Sequence, residues 1–339
     1  MNKRALTGIK PTGTPHIGNY LGMIRPALEL AEQYDALYFI ADYHALTSLH
    51  DKALLQRYVY EVAATWLALG LDPERVIFYR QSDVPEIFEL TWILDCFTPK
   101  GLLNRAHAYK AMTDQNKLEN RADDEDVNAG LFNYPVLMAA DILLFDTHIV
   151  PVGQDQKQHL EITRDIATTF NHTYGNALRL PEARIQADVK TITGLDGRKM
   201  SKSYNNTIPL FAPSQQLRKQ VMQIVTDSKR PEDPKNPDEC NIFNIYKHFA
   251  SEQDVNTVRQ HYLNGGVAYG EMKQTLFHLL ENTFGDAREK YNYLIEDHAQ
   301  IAEILEQGSA KARALGQPIL QEVREKIGIG RSIRDVILT

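Results

Sequence analysis

The chain has 339 residues, of which 43% are apolar and 24% charged, and its net charge is −7. This excludes disordered, collagen-like and coiled-coil classes and predicts roughly two domains with a core that needs no covalent staples. The acidic balance also excludes a uniformly basic nucleic-acid coat, though not a local basic face.

Ala5 to Ile9 is a short apolar run closed by Lys10-Pro11-Thr12-Gly13, which predicts a first strand ending in a turn. Ile17, Tyr20, Leu21, Ile24 and Leu28 then recur at helical spacing, with a kink expected at Pro26. A buried strand follows over Ala36 to Ala41. The next helix begins at Asp51 and carries Leu54, Leu55, Tyr58, Val62 and Trp66 on one face. Val76 to Tyr79 reads as a third strand and Pro85 to Phe97 as another helix. Continuous apolar strands alternating with helices predict parallel βαβ units, with ligands at the carboxyl ends of the strands.

Residues 112–128 are polar and mostly acidic, and read as a mobile surface segment. An apolar helix is expected over Phe132 to Phe145, a strand at Val150-Pro151-Val152 and a helix over Gln156 to Phe170. Beyond Pro213 strand signals vanish and helical periodicity takes over, as in Leu217/Val221/Ile224 and Leu276/Leu279/Leu280. Pro231 to Pro237 reads as a linker or exposed loop. Cys96 and Cys240 fit neither a zinc site nor a disulfide framework. No apolar run reaches the ~18 residues of a membrane span. The start lacks the apolar stretch of a secretory signal, so a reducing cytoplasm is the expected compartment.

Two segments carry chemistry. In Thr12-Gly13-Thr14-Pro15-His16-Ile17-Gly18-Asn19, the first strand hands over to a helix. His16 and Asn19 share one face of the first turn, Gly18 leaves an open floor, and a helix N-terminus adds unpaired N–H groups; together these suit a triphosphate. Taken alone, the segment is equally a plain helix start. In Gly194-Leu195-Asp196-Gly197-Arg198-Lys199-Met200-Ser201-Lys202-Ser203, two ammonium groups stand beside two hydroxyls behind a glycine-flanked, hinge-like start. Such an array follows the charge that builds on a departing pyrophosphate.

In order and spacing, His16-Ile17-Gly18-Asn19 and Lys199-Met200-Ser201-Lys202-Ser203 resemble the two signatures of class I aminoacyl-tRNA synthetases, the first with Asn19 in place of the usual final His. The stretches 7–13 (TGIKPTG), 42–47 (DYHALT), 134–143 (YPVLMAADIL) and 150–159 (VPVGQDQKQH) narrow the resemblance to bacterial tryptophanyl-tRNA synthetases, as do Pro181 to Ile185 and Thr226-Asp227-Ser228.

That resemblance implies a Rossmann-like parallel-sheet activation domain over 1–205, with a dimer-interface insertion at about 100–145. A helical domain over 206–339 would bind the tRNA anticodon and pack its last helix back on the first domain. It implies ATP with Mg²⁺, L-tryptophan and tRNA(Trp) as substrates, a homodimer, and no membrane, zinc or iron–sulfur cluster. His16, Asn19, Lys199 and Lys202 would be catalytic. Lys10, Pro11, Thr12, Gly18, Gly153, Gln154, Asp155, Ile192, Met200, Ser201 and Ser203 would join them around ATP. Lys10 stands where the commonest form has Gln, and adds a cation near the phosphates. Lys110 aligns roughly with the phosphate site.

Asp141 would accept the indole N–H, tryptophan's only side-chain polar group. Without the resemblance, an Asp in an apolar helix is more often a packing acid. Tyr134 and Gln156 would hold the amino-acid head group, and Leu6, Gly8, His44, Met138 and Val152 would line the ring pocket. The expected dimer interface is the apolar helix at 130–145 and the segment before it. The rival readings are a tyrosine-specific enzyme, a silent paralogue serving as an RNA-binding module, and a nucleotidyltransferase that does not act on tRNA.

Overall fold

The structure, a computed structural model, describes residues 3–153, 156–185 and 192–330. Five strands among them form one parallel sheet: β1 (Arg4–Ile9), β2 (Asp35–Ile40), β3 (Ile77–Arg80), β4 (Ile149–Val152) and β5 (Glu182–Ile185), in the order β3-β2-β1-β4-β5. The order reverses between β1 and β4, so the crevice outside their carboxyl ends is the expected ligand position. Side chains alternate across β2 as strand geometry demands. Ala36, Tyr38 and Ile40 enter one core, and Leu37 and Phe39 enter the other.

The first core lies under α1 (Ile17–Asn19), α2 (Arg25–Ala31) and α4 (Lys52–Ala68), with the helical second half behind them. α3 (Asp42–Ala45) is a single turn after β2. The second core is closed by α5 (Glu86–Asp95), α6 (Lys100–Leu103), α8 (Ala129–Leu143) and α9 (Lys157–Tyr174). α7 (His107–Leu118) precedes α8 on the surface.

The second half comprises α10 (Ser214–Met222), α11 (Asn241–Tyr246), α12 (Glu252–Asn264), α13 (Tyr269–Glu296) and α14 (His298–Ile327). α14 returns over β3 and α5. Gly308 lies so close to β3 that a Cβ there would sit 1.7 Å from the Phe78 carbonyl oxygen. Arg313 and Arg324 pair with Glu86 and Glu89 of α5.

Four features depart from the sequence expectations. Between α1 and α2 the chain widens into a π-helical turn over Tyr20–Ile24, closed by Arg25 N–H to the Tyr20 carbonyl. Pro26 offers no N–H to the preceding turn and its ring would crowd it, so the strain is relieved upstream rather than by a simple kink. β5 was not expected at all. The supposed mobile segment begins inside α7, and then turns around Arg121, which pairs with Glu119 and Asp126. The proline-rich stretch is neither a linker nor merely exposed. Lys235 is buried within it and donates to the carbonyls of Arg230 (2.6 Å), Asp233 (3.0 Å) and Pro231 (3.1 Å). In α8, where the sequence does not separate an interface from ordinary core, Val136, Ala139, Ala140, Ile142 and Leu143 are buried within one chain.

Candidate active site

A cavity of about 620 Å³ opens at the carboxyl ends of β1 and β4, at the point where the strand order reverses. Leu6, Gly8, His44, Tyr134, Met138, Asp141, Val152 and Gln156, the whole set expected to hold tryptophan, all line it. A Cβ on Gly8 would lie 2.5 Å from the Phe39 ring, so a larger residue in β1 would displace the wall beneath the cavity. Asn128 caps α8 by accepting from the Leu131 N–H at 2.8 Å, and donates to the Thr47 carbonyl at 3.0 Å. This ties the start of α8 to the segment after α3. Tyr134, Met138 and Asp141 follow at i, i+4 and i+7 and so share the cavity face. The Tyr134 hydroxyl meets His159 Nε2, and burial raises its pKa to about 12.

Asp141 is fully buried. Its Oδ2 lies 2.9 Å from His44 Nε2, and Gln81 Nε2 donates to Oδ1 at 2.8 Å and to Oδ2 at 2.9 Å. Burial pushes the carboxyl pKa upward, and the His44 and Gln81 hydrogen bonds oppose that shift. No Arg or Lys pairs with it, so the alternative of a packing acid matched to a basic residue does not hold among the described residues. Gln81 was missed. It opens the 3₁₀ turn Gln81–Asp83 after β3, a polar residue at the carboxyl end of a strand, and that position was the available signal.

Beside this cavity the two signature segments touch. Ile17 N–H donates to the Ile208 carbonyl at 2.9 Å and Leu210 N–H to the Pro15 carbonyl at 3.2 Å, so the chain beyond Lys202 runs back along the first signature. Lys202 Nζ lies 3.4 Å from the Thr12 carbonyl oxygen. A Cβ on Gly13 (φ +122°) would fall 3.0 Å from that Nζ. One on Gly18 would fall 3.0 Å from the His16 ring and 3.5 Å from Met200 Sδ. His16 is buried, and burial, reinforced by Lys202, lowers its pKa to about 4, so it is a neutral imidazole at physiological pH. Asn19 accepts from the His16 backbone N–H through Oδ1 at 3.0 Å, a bond that uses its acceptor and not its Nδ2 donor group.

The lysine loop is tighter than a free hinge. A Cβ on Gly194 would lie 2.4 Å from the Asn206 side chain. Asn206, also missed, is the hub: it accepts from Ser201 N–H at 2.8 Å and donates to Asp196 Oδ1 (2.6 Å) and the Lys199 carbonyl (3.1 Å). Ser203 N–H donates to Ser201 Oγ. Ile192 is buried and accepts the Met200 N–H, while Thr193 bridges Lys199 through the backbone. The Lys199 side chain is exposed, so of the two ammonium groups only Lys202 stands against the first signature.

Glu61 of α4, a third missed residue, is buried behind the loop, accepting from Thr14 Oγ1 at 3.0 Å and Arg57 Nε at 2.6 Å. Its charge raises the Lys202 pKa, against the larger downward pull of burial. A charge on the otherwise apolar face of α4 was its signal. Lys10 lines the cavity with Gly153, but donates to Thr47 Oγ1 at 2.9 Å and to Ser48 Oγ. Pro11 is buried and Thr12 exposed. Lys110 lines a separate polar cavity with Arg105 and His107. Gln154 and Asp155 lie outside the described residues.

The family model of class I tRNA synthetases for tryptophan and tyrosine matches residues 2–285. The chain is 55% identical over 340 residues to the tryptophan–tRNA ligase of Pseudomonas aeruginosa, covering 99% of this chain and 75% of that protein. It is 53% identical to the enzyme of Bordetella parapertussis, over 97% of this chain and 74% of the relative. The chain belongs to the bacterial-type tryptophanyl-tRNA synthetases. The crystal structure of the Campylobacter jejuni synthetase complexed with ADP and tryptophan is similar throughout: its TM-score is 0.87 at 48% identity, and the match covers 96% of this chain and 100% of that one. Membership of this family removes the tyrosine-specific and nucleotidyltransferase alternatives.

Proposed function

We propose that the chain activates L-tryptophan with ATP to tryptophanyl-AMP and pyrophosphate, and then transfers the tryptophanyl group to the 3′ end of tRNA(Trp). One observation carries this reading: a cavity holding a buried carboxylate opens beside the contact between the two phosphate-type signatures. In the first step, a tryptophan carboxylate oxygen attacks the α-phosphorus of ATP and the bond to the β-phosphate oxygen breaks. No enzyme residue becomes covalently attached; positioning and charge stabilisation supply the catalysis. Asp141 accepts the indole N–H, and Tyr134 and Gln156 orient the head group. Neutral His16 and the Asn19 amide donate to the phosphates. Lys202 stabilises the leaving pyrophosphate and Lys199 joins it when the loop closes, with Mg²⁺ entering as the counter-ion of ATP. A ribose hydroxyl of tRNA then attacks the acyl carbonyl and AMP departs.

In this reading residues 1–205 perform activation and 206–339 bind tRNA(Trp), through exposed basic residues such as Arg218, Lys219, Lys229 and Arg230. No helix among the described residues is long and apolar enough to cross a membrane; the proposed compartment is the cytoplasm. The test of the reading is ATP–pyrophosphate exchange. It should require tryptophan and be followed by charging of tRNA(Trp) but not tRNA(Tyr). Exchange supported equally by tyrosine, or exchange with no charging, defeats it.

A homodimer is part of the proposal, with exposed aromatic residues of α5 contributing to its face. Trp92 is 72% exposed and Phe88, stacked edge-on to Tyr43 at 4.4 Å, is 44% exposed. Large aromatic residues left together on a surface mark an association site. Trp92→Asp should convert the dimer to monomer in sedimentation velocity, at a loading concentration where the parent chain stays dimeric. An unchanged sedimentation coefficient removes α5 from the interface.

A further inference from the structure

We propose that Gln81 is a positioning residue for tryptophan selection: it aligns the Asp141 carboxylate so that Oδ1 is the atom that receives the indole N–H. The proposal rests on the assignment of Asp141 as the indole acceptor and deepens it.

Counting acceptor sites gives the atom. Each carboxylate oxygen accepts about two hydrogen bonds. Oδ2 takes both His44 Nε2 (2.9 Å) and Gln81 Nε2 (2.9 Å), whereas Oδ1 takes Gln81 Nε2 alone, at 2.8 Å. One site therefore stays open on Oδ1, in a carboxylate that lines the cavity.

The orientation of the Gln81 amide points the same way. Gln81 is fully buried, and its Oε1 has no partner among the described residues. Reversing the amide would set a carbonyl oxygen against a carboxylate, so the donor face stays on Asp141 even though the acceptor goes unpaired. The arrangement is fixed from behind. Asp42 Oδ1 accepts from Tyr43 N–H at 3.1 Å and from Ser82 N–H at 3.0 Å. One buried oxygen thus fastens the turn bearing Gln81 to the turn bearing His44, and the two donors converge on Asp141 from separate strand ends. A carboxylate gripped by a single donor would swing about that bond. Two donors on different backbone segments hold its plane.

The test compares tryptophan with β-(3-benzothienyl)alanine, in which sulfur replaces the indole N–H. Gln81→Met keeps length and removes the donor. Gln81→Leu removes both amide atoms at similar volume. In pyrophosphate exchange, both variants should raise KM for tryptophan about tenfold, with kcat little changed, and leave KM for the analogue within about twofold of the parent value. Preference for tryptophan then falls by about the same factor of ten. Unchanged analogue kinetics also report that the variant is folded, and if Gln81→Met does not fold, Gln81→Leu decides. A purely structural role raises both KM values together, and either that result or no change in either KM overturns the inference. Asp141→Asn is run alongside. If it too leaves the preference intact, the assignment of Asp141 falls and the role of Gln81 falls with it. If it abolishes the preference while the Gln81 variants keep it, only the role of Gln81 falls.

Discussion

Replacing Lys202 by methionine is expected to slow formation of tryptophanyl-adenylate by about 10²–10³, while the Kd for tryptophan stays unchanged. The magnitude is that of removing one preorganised charge-stabilising donor, about 2.7–4 kcal/mol of transition-state stabilisation. The ammonium stands against the Thr12 carbonyl, on the first-signature side of the contact, and is absent from the lining of the tryptophan cavity. In the proposed reaction its charge is therefore placed for the leaving pyrophosphate and not for the indole. Glu61 strengthens the case for an ionised Lys202, because its carboxylate favours the charged form that burial opposes. His16 cannot substitute as a cation, since burial and Lys202 together hold its pKa at about 4. Rapid-quench measurement of adenylate formation, with equilibrium binding of tryptophan alone, checks the expectation. A matching loss of tryptophan affinity would move Lys202 into the amino-acid site and break the division of labour between the two halves of the cleft.

That division was legible in the sequence only where local chemistry repeats a pattern. The apolar run 36–41 in and after β2 and the i, i+3 spacing of Met138 and Asp141 announce themselves, because burial on both faces of a sheet and one face of a helix leave periodic marks, whereas Tyr134 and Gln156 come from the family resemblance. All eight residues expected around tryptophan line one cavity. α7 left no such mark: its buried side chains, Thr113 and Asn116, are polar, so a helix reads as a loop. β5 is an edge strand of four residues with Glu182, Ala183 and Arg184 exposed, too short and too polar to stand out. At Gly194 the glycine also allows close approach of Asn206, a use that only the tertiary neighbour reveals.

Gln81, Glu61 and Asn206 share a further property. Each is a buried polar side chain whose partners lie on other segments: Gln81 on Asp141, Glu61 on Thr14, Asn206 on Asp196 and Ser201. Such residues carry no period and no motif. The two signatures named the groups proposed to meet the substrate, and the structure adds buried side chains that hold them in place. The distinction explains why Lys199 and Lys202, adjacent in one motif, differ here. Both side chains are exposed, but Lys202 sets its ammonium 3.4 Å from the Thr12 carbonyl, whereas Lys199 joins the turn through its backbone. Asn206 therefore fixes a loop that docks one cation on the first signature and leaves the other exposed.

Asp141→Ala is expected to reduce discrimination between tryptophan and phenylalanine from about 10⁴ or more to the order of 10–100. A site that must hydrogen-bond a substrate rejects analogues lacking the donor by the larger factor, whereas an apolar pocket that differs only in fit supplies the smaller one. The substitution removes the acceptor and leaves Leu6, Met138 and Val152 to select by shape alone. Its stability cost is set by two opposing effects. Gln81 Nε2 and His44 Nε2 lose their partner, and an orphaned buried donor costs about 1–3 kcal/mol. Against this, burial raises the Asp141 pKa above its unfolded value, so the folded state binds the proton more tightly and the ionised group opposes folding at neutral pH. That penalty is relieved as pH falls through the raised pKa, and alanine removes it at every pH. The net loss should thus be small near pH 7 and grow toward acid, where the parent chain gains stability that the variant does not. Exchange kinetics with both amino acids measure the first effect, and urea unfolding at two pH values measures the second. Discrimination that survives the substitution would return Asp141 to the role of a packing residue and leave the indole N–H to be recognised elsewhere in the cavity.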